Sequence, residues 1–429
     1  MKKLRNHFTT AELSWIFYDI GNSAFTMIAV SLIPIWFKSL AITGKPGGLT
    51  SDQATGTWAL AISTVTVVLA LLGPIIGAIT DNRNFKKLIF TSVLAVGVIG
   101  CILCGITSSW LMFLIIFIFT KVAYSASVTF YDSMLVDVTT PERMDEISSY
   151  GFAWGYLGSC IPFLAALIFY VLDSMLHVMD AGLARFLGCF VVGVWWVVMT
   201  IPLLKNYKQK HFVPAQKHAI RASLLRVKET VTHIASKDKK VFYFLLAFFM
   251  YIDGVGTIID NAINIGTDLG LNTVGQVVFL LATQVVAFAF SLLFAKLSKK
   301  HRTVNLISVC IAGYFCVCVY ALTLKTLWQF GIMAFGVGMF QGSIQALSRS
   351  YFSKIIPPER SGEYFGIYDI FSKGASFLGS FVIAMVKYMG GSINVAVGSL
   401  VIFFVLGFLL LKKADRTQSS FVSAGERHI

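Results

Sequence analysis

The sequence is poor in charged side chains. Asp, Glu, Lys and Arg together make up 13% of the 429 residues, whereas hydrophobic residues make up 56% and the mean hydropathy is +0.76. A soluble domain of this length needs a far more polar surface. This shortage of charge excludes an ordinary soluble protein and favours an integral membrane protein.

The sequence also lacks the motifs that indicate an enzyme or an ATP-driven pump. The phosphate-binding pattern G-x-x-x-x-G-K-[ST] is absent. No set of residues has the spacing of metal ligands or of a nucleophile with its base, so we expect no cofactor and no resident metal. Cys101 and Cys104 form a C-x-x-C, but no second pair accompanies them, and all seven cysteines lie in apolar runs as packing residues.

What the chain has instead is a series of long apolar runs. Each is about 20 residues long, the length that crosses roughly 30 Å of hydrocarbon. The runs are too uniformly apolar for barrel strands, which alternate in polarity. We therefore predict an all-α membrane protein with about 12 transmembrane helices, over residues 14–39, 54–79, 88–107, 110–137, 149–172, 183–204, 241–265, 274–297, 304–323, 326–350, 364–387 and 393–411.

The 35 Lys and Arg residues are placed asymmetrically with respect to these spans. With the N-terminus inside, nearly all of them fall on the cytoplasmic side. The opposite side receives only Lys38, Lys45, Arg185, Lys325 and Lys387. The positive-inside rule then predicts a multi-pass protein of the inner (cytoplasmic) membrane with both termini in the cytoplasm. The net charge of +14 indicates this topology and contact with membrane lipids, not nucleic-acid binding.

A long polar stretch near the middle divides the chain into two halves of six spans. Pro141-Glu142-Arg143 after the fourth span is echoed by Pro358-Glu359-Arg360 after the tenth. Such internal repeats are expected in transporters whose halves rock against each other. The predicted domains are an N-terminal six-helix bundle (1–204), a basic cytoplasmic linker (205–240) with an amphipathic helix near 220–234, a C-terminal six-helix bundle (241–411) and a cytoplasmic tail (412–429).

Four segments, spread over both halves, carry a family resemblance. They are WIFYDIGNSAF at 15–25, FYDSML at 130–135, YIDGVGTI at 251–258 and QGSIQALSRS at 341–350. Together they resemble the unknown-major-facilitator permeases of the major facilitator superfamily, the group that includes the fungal vacuolar amino-acid effluxer of the autophagy set. The resemblance implies the major facilitator fold, with two pseudo-symmetric six-helix bundles, and a transport role. Amino-acid efflux is what the fungal relative suggests.

The turn after the second span resembles the loop signature of the superfamily. Gly77 is followed by Asp81 and a basic cluster that begins with Arg83, but Asn84 or Phe85 replaces the usual second glycine. Asp81 can pair with basic groups or with a helix N-terminus, which would form a latch that favours one access state. The alternative is a solvated turn that follows the positive-inside rule.

Three ionisable residues lie near the membrane midplane: Lys121, Asp253 and Lys373. Such groups are costly at this depth and usually face a cavity or a partner. Asp253 is the candidate for proton coupling, because a carboxylate in a low-dielectric site can take up a proton. The alternative is a permanent ion pair with Lys121 or Lys373.

Other polar residues form stripes on the spans that line the central cavity in this fold. The substrate-binding candidates are Lys121, Tyr124, Asn22, Thr257, Gln341, Gln345 and Lys373. The candidates for a gate or conformational latch are Asp19, Asp81, Arg83, Asp132, Arg349 and Asp369. Two alternatives stay open: Arg349 is a structural charge, and Lys373 and Asp369, four residues apart, neutralise each other.

The leading hypothesis is a monomeric, proton-linked carrier that moves a small polar or zwitterionic solute, such as an amino acid, by alternating access. A flippase for lipids or amphiphiles, or a multidrug exporter, would keep the fold and place some of the 37 phenylalanines and 13 methionines around its ligand. An intramembrane enzyme lacks a recognisable catalytic set. The remaining alternatives for its function are a receptor and a channel.

Overall fold

The computed structural model describes residues 7–43, 47–214, 219–374 and 377–418, which are largely helical. The helices of the first half are α1 (Thr10–Val30), α2 (Leu32–Thr43), α3 (Ser51–Thr80), α4 (Phe85–Ile106), α5 (Trp110–Ser133), α6 (Leu135–Val138), α7 (Met144–Ser174) and α8 (Ala181–Asn206). Between the halves lies α9 (Ala219–Ser236). The second half contains α10 (Lys239–Asp260), α11 (Ala262–Asp268), α12 (Thr273–Leu297), α13 (Thr303–Ala321), α14 (Leu327–Ile355), a 3-10 helix (Pro358–Arg360), α15 (Ser361–Lys373), α16 (Phe377–Tyr388), α17 (Ile393–Ser399) and α18 (Val401–Arg416).

Within the described ranges, 12 helical segments are long and apolar enough to cross a membrane. This confirms the predicted twelve-helix fold. Several spans consist of two helices in sequence: α1 with α2, α5 with α6, α15 with α16, and α17 with α18. The apolar runs predicted the spans but not these breaks, because a break leaves the hydropathy of a span unchanged.

Polar residues in the loops fix where several spans begin. Thr9, Thr50 and Thr326 each form a capping box with the Glu or Gln three residues later. In this motif each side chain accepts a hydrogen bond from the other residue's backbone N–H, which satisfies groups that have no partner within the helix. α1, α3 and α14 therefore begin at defined residues.

Each half has its own hydrophobic core. One cluster of buried side chains runs from Phe8 to Tyr207, and the other runs from Ile234 to Ala414. Apolar side chains thus pack mainly within a bundle. The polar contacts described below join the two bundles at one end.

That end is the face on which the linker lies. It carries the loops 81–84, 139–143, 207–214, 298–302 and 356–360, and we call it the linker face. A backbone bridge between Asn82 and Val213 ties two of these loops together.

Glycines allow the halves to approach closely near this face. A Cβ atom added to Gly362 of α15 would lie 2.6 Å from the carbonyl oxygen of Gly77 on α3. One turn further along, a Cβ on Gly366 would lie 2.6 Å from the carbonyl oxygen of Gly73. Real Cβ atoms do not approach other atoms so closely, so this backbone-to-backbone packing depends on small residues.

Candidate functional site

Arg349 on α14 joins the second half to three helices of the first half. The residue is 3% exposed. Its Nη1 donates to Asp132 Oδ1 at 2.8 Å, its Nη2 to Asp19 Oδ2 at 3.3 Å, and its Nε to Ser148 Oγ at 2.9 Å. These partners lie on α5, α1 and α7 respectively. We call Arg349, Asp19, Asp132 and Ser148 the arginine cluster.

Aromatic rings enclose the guanidinium of Arg349. Its Cζ lies 4.5 Å from the ring centroids of both Trp15 and Phe152, and 5.4 Å from that of Tyr131. Such cation–π contacts are favourable, and they strengthen when water is excluded. In this enclosed site the charge of Arg349 depends on its carboxylate partners, because an uncompensated buried charge is strongly destabilising.

Asp81, at the end of α3, binds the N-terminus of α15 across the interface between the halves. Its Oδ1 accepts the N–H of Gly362 at 2.7 Å and its Oδ2 that of Glu363 at 2.9 Å. Lys86 Nζ lies 3.6 Å from Oδ1. Burial raises the pKa of Asp81 above its ordinary value, and Lys86 and the two N–H donors oppose that rise by stabilising the carboxylate. We call Asp81, Lys86, Gly362 and Glu363 the aspartate latch.

Lys86 is the basic residue that pairs with Asp81. It is fully buried, donates to Ser361 Oγ at 2.7 Å, and lies 4.0 Å from Asp137 Oδ2. The predicted latch residue Arg83 is exposed instead, with its guanidinium 5.4 Å from the ring centroid of Phe212. The basic cluster itself was the sequence signal. The sequence pattern could not show that Lys86, and not Arg83, is the residue buried beside Asp81.

Arg226 of α9 is a further residue at this interface that the sequence did not single out. Its Nε lies 3.1 Å from Glu363 Oε2, and its Nη2 donates to the carbonyl oxygen of Ala78. Ser223, on the same helix, donates to that carbonyl at 3.4 Å. The linker helix thus contacts both α3 and α15, where these two helices meet.

Asp145, at the start of α7, forms a third connection between the halves and was also not predicted. It accepts hydrogen bonds from Ser350 Oγ at 2.5 Å and Thr303 Oγ1 at 2.6 Å, and Lys354 Nζ lies 2.7 Å away. The only sequence signal was its place two residues after the repeated Pro-Glu-Arg motif, and a polar residue there is also typical of an ordinary turn.

Asp253 on α10 lies within the second half and binds the beginning of α16. Its Oδ2 accepts the N–H of Leu378 at 3.1 Å and its Oδ1 the N–H of Gly379 at 2.6 Å. Thr257, one turn later, donates to Oδ1 at 3.3 Å. Asp253 and Thr257 are both fully buried. The carboxylate therefore holds together two helices of one bundle.

The two predicted lysines differ in their surroundings. Lys373 pairs with Asp369 one turn earlier on α15. Lys121 on α5 is half-buried, with its Nζ 5.1 Å from the ring centroid of Tyr124, and it lies within electrostatic range of Lys373 and Asp260 of the other half. In the described part of the chain no carboxylate lies within 4.0 Å of Lys121 Nζ.

The uncharged candidates lie on the helices next to these groups. Tyr124 shares a hydrogen bond of 2.5 Å with Thr26. Asn22 is buried and donates to Asp19 Oδ1 at 3.3 Å, which connects it to the arginine cluster. Gln345 Nε2 donates to the carbonyl oxygen of Gln341 at 3.3 Å.

The arrangement as a whole separates into two regions with different chemistry. At the linker face, charges and backbone N–H groups of one half are neutralised by the other half, so parting the halves exposes them to water. Deeper between the halves, Lys121 offers a cation that no carboxylate of the described residues contacts directly. The first region can hold a closed state, and the second can bind a negatively charged group.

A family profile described as "Vacuole effluxer Atg22 like" matches residues 10–420. A Bacillus subtilis (strain 168) protein, described as the uncharacterized MFS-type transporter YxiO, is 36% identical over 98% of this chain and 98% of its own length. Autophagy-related protein 22 of Coccidioides immitis (strain RS) is 25% identical over 63% of this chain, which spans 49% of that protein.

Solved structures agree on the fold. The human organic anion transporter MFSD10 (TETRAN) matches with a TM-score of 0.69 at 14% identity, over 94% of this chain and 98% of that protein. The proton:xylose symporter XylE matches with a TM-score of 0.68 at 13% identity, over 94% of each chain. At these identities the likeness shows a shared architecture of two six-helix bundles.

Proposed function

This chain belongs to the Atg22-like family of major facilitator transporters, and on that premise we propose that it is a proton-linked secondary transporter of a small polar or zwitterionic solute, such as an amino acid. It acts by alternating access between its two halves. The proposed location is the inner membrane, with the linker face in the cytoplasm, as the distribution of Lys and Arg predicts.

The observation that carries the substrate class is the setting of Lys121. An ammonium group at membrane depth is costly and normally has a close counter-charge. Lys121 has Lys373 and Asp260 in electrostatic range but no carboxylate in direct contact among the described residues. A carboxylate on the substrate would supply that counter-charge, while an ammonium on the same molecule would suit Asp260 or Asp369.

Alternating access is supported by the contacts at the linker face. The arginine cluster, the aspartate latch and Asp145 each join the two halves there. In the proposed cycle these contacts hold the cytoplasmic side closed and break when it opens. In the closed state the substrate region is reached from the opposite face.

The experiment that tests the proposal is a ligand panel on detergent-purified protein, read by thermal unfolding. The panel contains amino acids, small peptides, organic and phosphorylated anions, lysolipids and cationic drugs. A ligand at 100 times its dissociation constant stabilises the bound state by about 2.7 kcal/mol, which is readily measured. We expect a zwitterion or a carboxylate to raise the unfolding temperature of the wild type but not of Lys121→Gln.

The matched control is Lys38→Gln, which removes an exposed lysine on α2 that is not among the substrate-binding candidates. It should respond to the ligand as the wild type does. A response to amphiphiles alone would overturn the polar-solute proposal in favour of a lipid flippase or drug exporter. An unchanged response in Lys121→Gln would overturn the role of this lysine.

A further inference from the structure

A cavity of about 370 Å³ opens on the linker face between the beginning of α1, the end of α6 and the segment after α8. Lys205, Lys208 and Lys210 contribute to its walls. All three are exposed, and among the described residues no carboxylate lies within 4.0 Å of their Nζ atoms. The cavity is therefore strongly basic and open to solvent.

Hydrogen bonds hold the segment that carries two of these lysines against the protein. Tyr207 donates to Asp137 Oδ2 at 2.5 Å, Gln209 Nε2 to the carbonyl oxygen of Asn82 at 3.2 Å, and the N–H of His211 to Asp137 Oδ1 at 2.9 Å. The side chains of Tyr207 and Gln209 are thus bonded to the protein, whereas Lys208 and Lys210 are exposed.

Asp137, the carboxylate in the wall, does not neutralise these lysines. Its Oδ1 accepts the backbone N–H groups of Lys210 at 3.0 Å and of His211, and its Oδ2 accepts the hydroxyl of Tyr207. Both oxygens are thus used in holding the segment. The three exposed lysines therefore leave an excess of positive charge at the cavity.

The cavity also lies at the ends of two membrane spans. It is lined by the first turn of α1 and by the end of α8, and both helices belong to membrane spans. Anionic groups at a membrane surface attract clusters of Lys and Arg within a Debye length. Lysine ammonium groups bind phosphate as mobile point charges.

We propose that this cavity is a binding site for a phosphate-bearing anion, held by Lys205, Lys208 and Lys210. The anion is either the headgroup of an anionic phospholipid or a soluble phosphate compound. Because the same segment is bonded to Asp137, which lies 4.0 Å from Lys86 of the aspartate latch, occupancy of the cavity stabilises the closed linker face.

The test measures binding of defined probes to the purified full-length protein in a neutral detergent. The probes are dioctanoyl phosphatidylglycerol, dioctanoyl phosphatidylcholine, glycerol 3-phosphate and inorganic phosphate. Each basic side chain near an anionic surface contributes roughly a fivefold factor in affinity, so Lys205→Gln/Lys208→Gln/Lys210→Gln should bind about 100-fold more weakly. The single variant Lys208→Gln should show roughly a fivefold loss.

The control variant is Lys87→Gln/Lys237→Gln/Lys300→Gln, which removes the same charge from exposed lysines that do not line the cavity. If phosphatidylglycerol binds saturably, and only the triple variant of the cavity lysines loses this binding, the cavity is a site for a lipid headgroup. Binding of glycerol 3-phosphate or inorganic phosphate with the same loss identifies a soluble ligand. No binding of any probe, or equal losses in both triple variants, would overturn the proposal.

Discussion

The contacts of Arg349 depend on the shape of its guanidinium group as well as on its positive charge. Its planar guanidinium donates to Asp132, Asp19 and Ser148 in different directions while its faces contact aromatic rings. Lysine offers a single ammonium group and cannot reproduce this pattern. The cluster therefore depends on arginine, not simply on positive charge.

We expect Arg349→Gln to lower the free energy of unfolding by about 3–5 kcal/mol, because it leaves the carboxylates of buried Asp19 and half-buried Asp132 without their cation. Arg349→Lys should be intermediate. Adding Asp132→Asn to Arg349→Gln should restore part of the loss, since it removes one of the stranded charges. Thermal and denaturant unfolding of the purified variants measures these differences. A double variant less stable than Arg349→Gln would contradict this explanation.

Asp253 binds backbone groups of α16 and is also the candidate for proton coupling that the sequence predicts. Asparagine at this position keeps one acceptor oxygen but cannot take up a proton. We expect Asp253→Asn to abolish gradient-driven transport in proteoliposomes while sparing exchange. It should also cost about 1–3 kcal/mol of stability, since one N–H loses its acceptor.

The control for that experiment is Asp52→Asn, which makes the same change at an exposed carboxylate in the first turn of α3. Full concentrative transport by Asp253→Asn would exclude this residue from coupling. Loss of exchange as well as of gradient-driven transport would assign it a role in substrate binding or in the fold.

At the scale of helices, the close approach of α3 and α15 brings Asp81 to its N–H donors. A Cβ atom added to Gly362 would lie 2.6 Å from the backbone carbonyl oxygen of Gly77 and 2.7 Å from Asp81 Oδ1. A backbone neighbour cannot rotate away as a side chain can. Any residue larger than glycine must therefore move one helix away from the other.

We predict that Gly362→Ala lowers the free energy of unfolding by about 1–3 kcal/mol through overpacking. Gly56→Ala, on the exposed surface of α3, meets no atom within 4 Å and should stabilise the protein by about 0.5–1 kcal/mol. Both variants make the same chemical change, so opposite signs in thermal unfolding would isolate the helix contact. Equal effects would argue against tight packing at this point.

The elements of the fold were predictable because membrane spans depend on local hydropathy. The same local signal could not show that Arg349 contacts Asp19 and Asp132, since these residues are far apart in sequence and meet only through packing of the halves. Lys86 and Arg226 were harder still. Both belong to basic stretches that the positive-inside rule explains without any partner.

For the whole molecule, alternating access requires the contacts at the linker face to break together. The arginine cluster lies on α1, α5, α7 and α14, whereas the aspartate latch lies on α3, α4 and α15. The two groups share no residue and no helix. If each half moves as a rigid body, weakening one group must loosen the other.

Hydrogen exchange can detect this coupling, because Gly362 and Glu363 donate their N–H groups to Asp81. We expect Arg349→Gln to speed amide exchange in the peptide over 361–366, although Arg349 contacts none of the latch residues. Peptides over 262–272, on the opposite face, should show equal or greater protection as the halves close there. Faster exchange confined to the neighbours of Arg349 would mean that the clusters open independently, and rigid-body rocking would then fail as the description of this transporter.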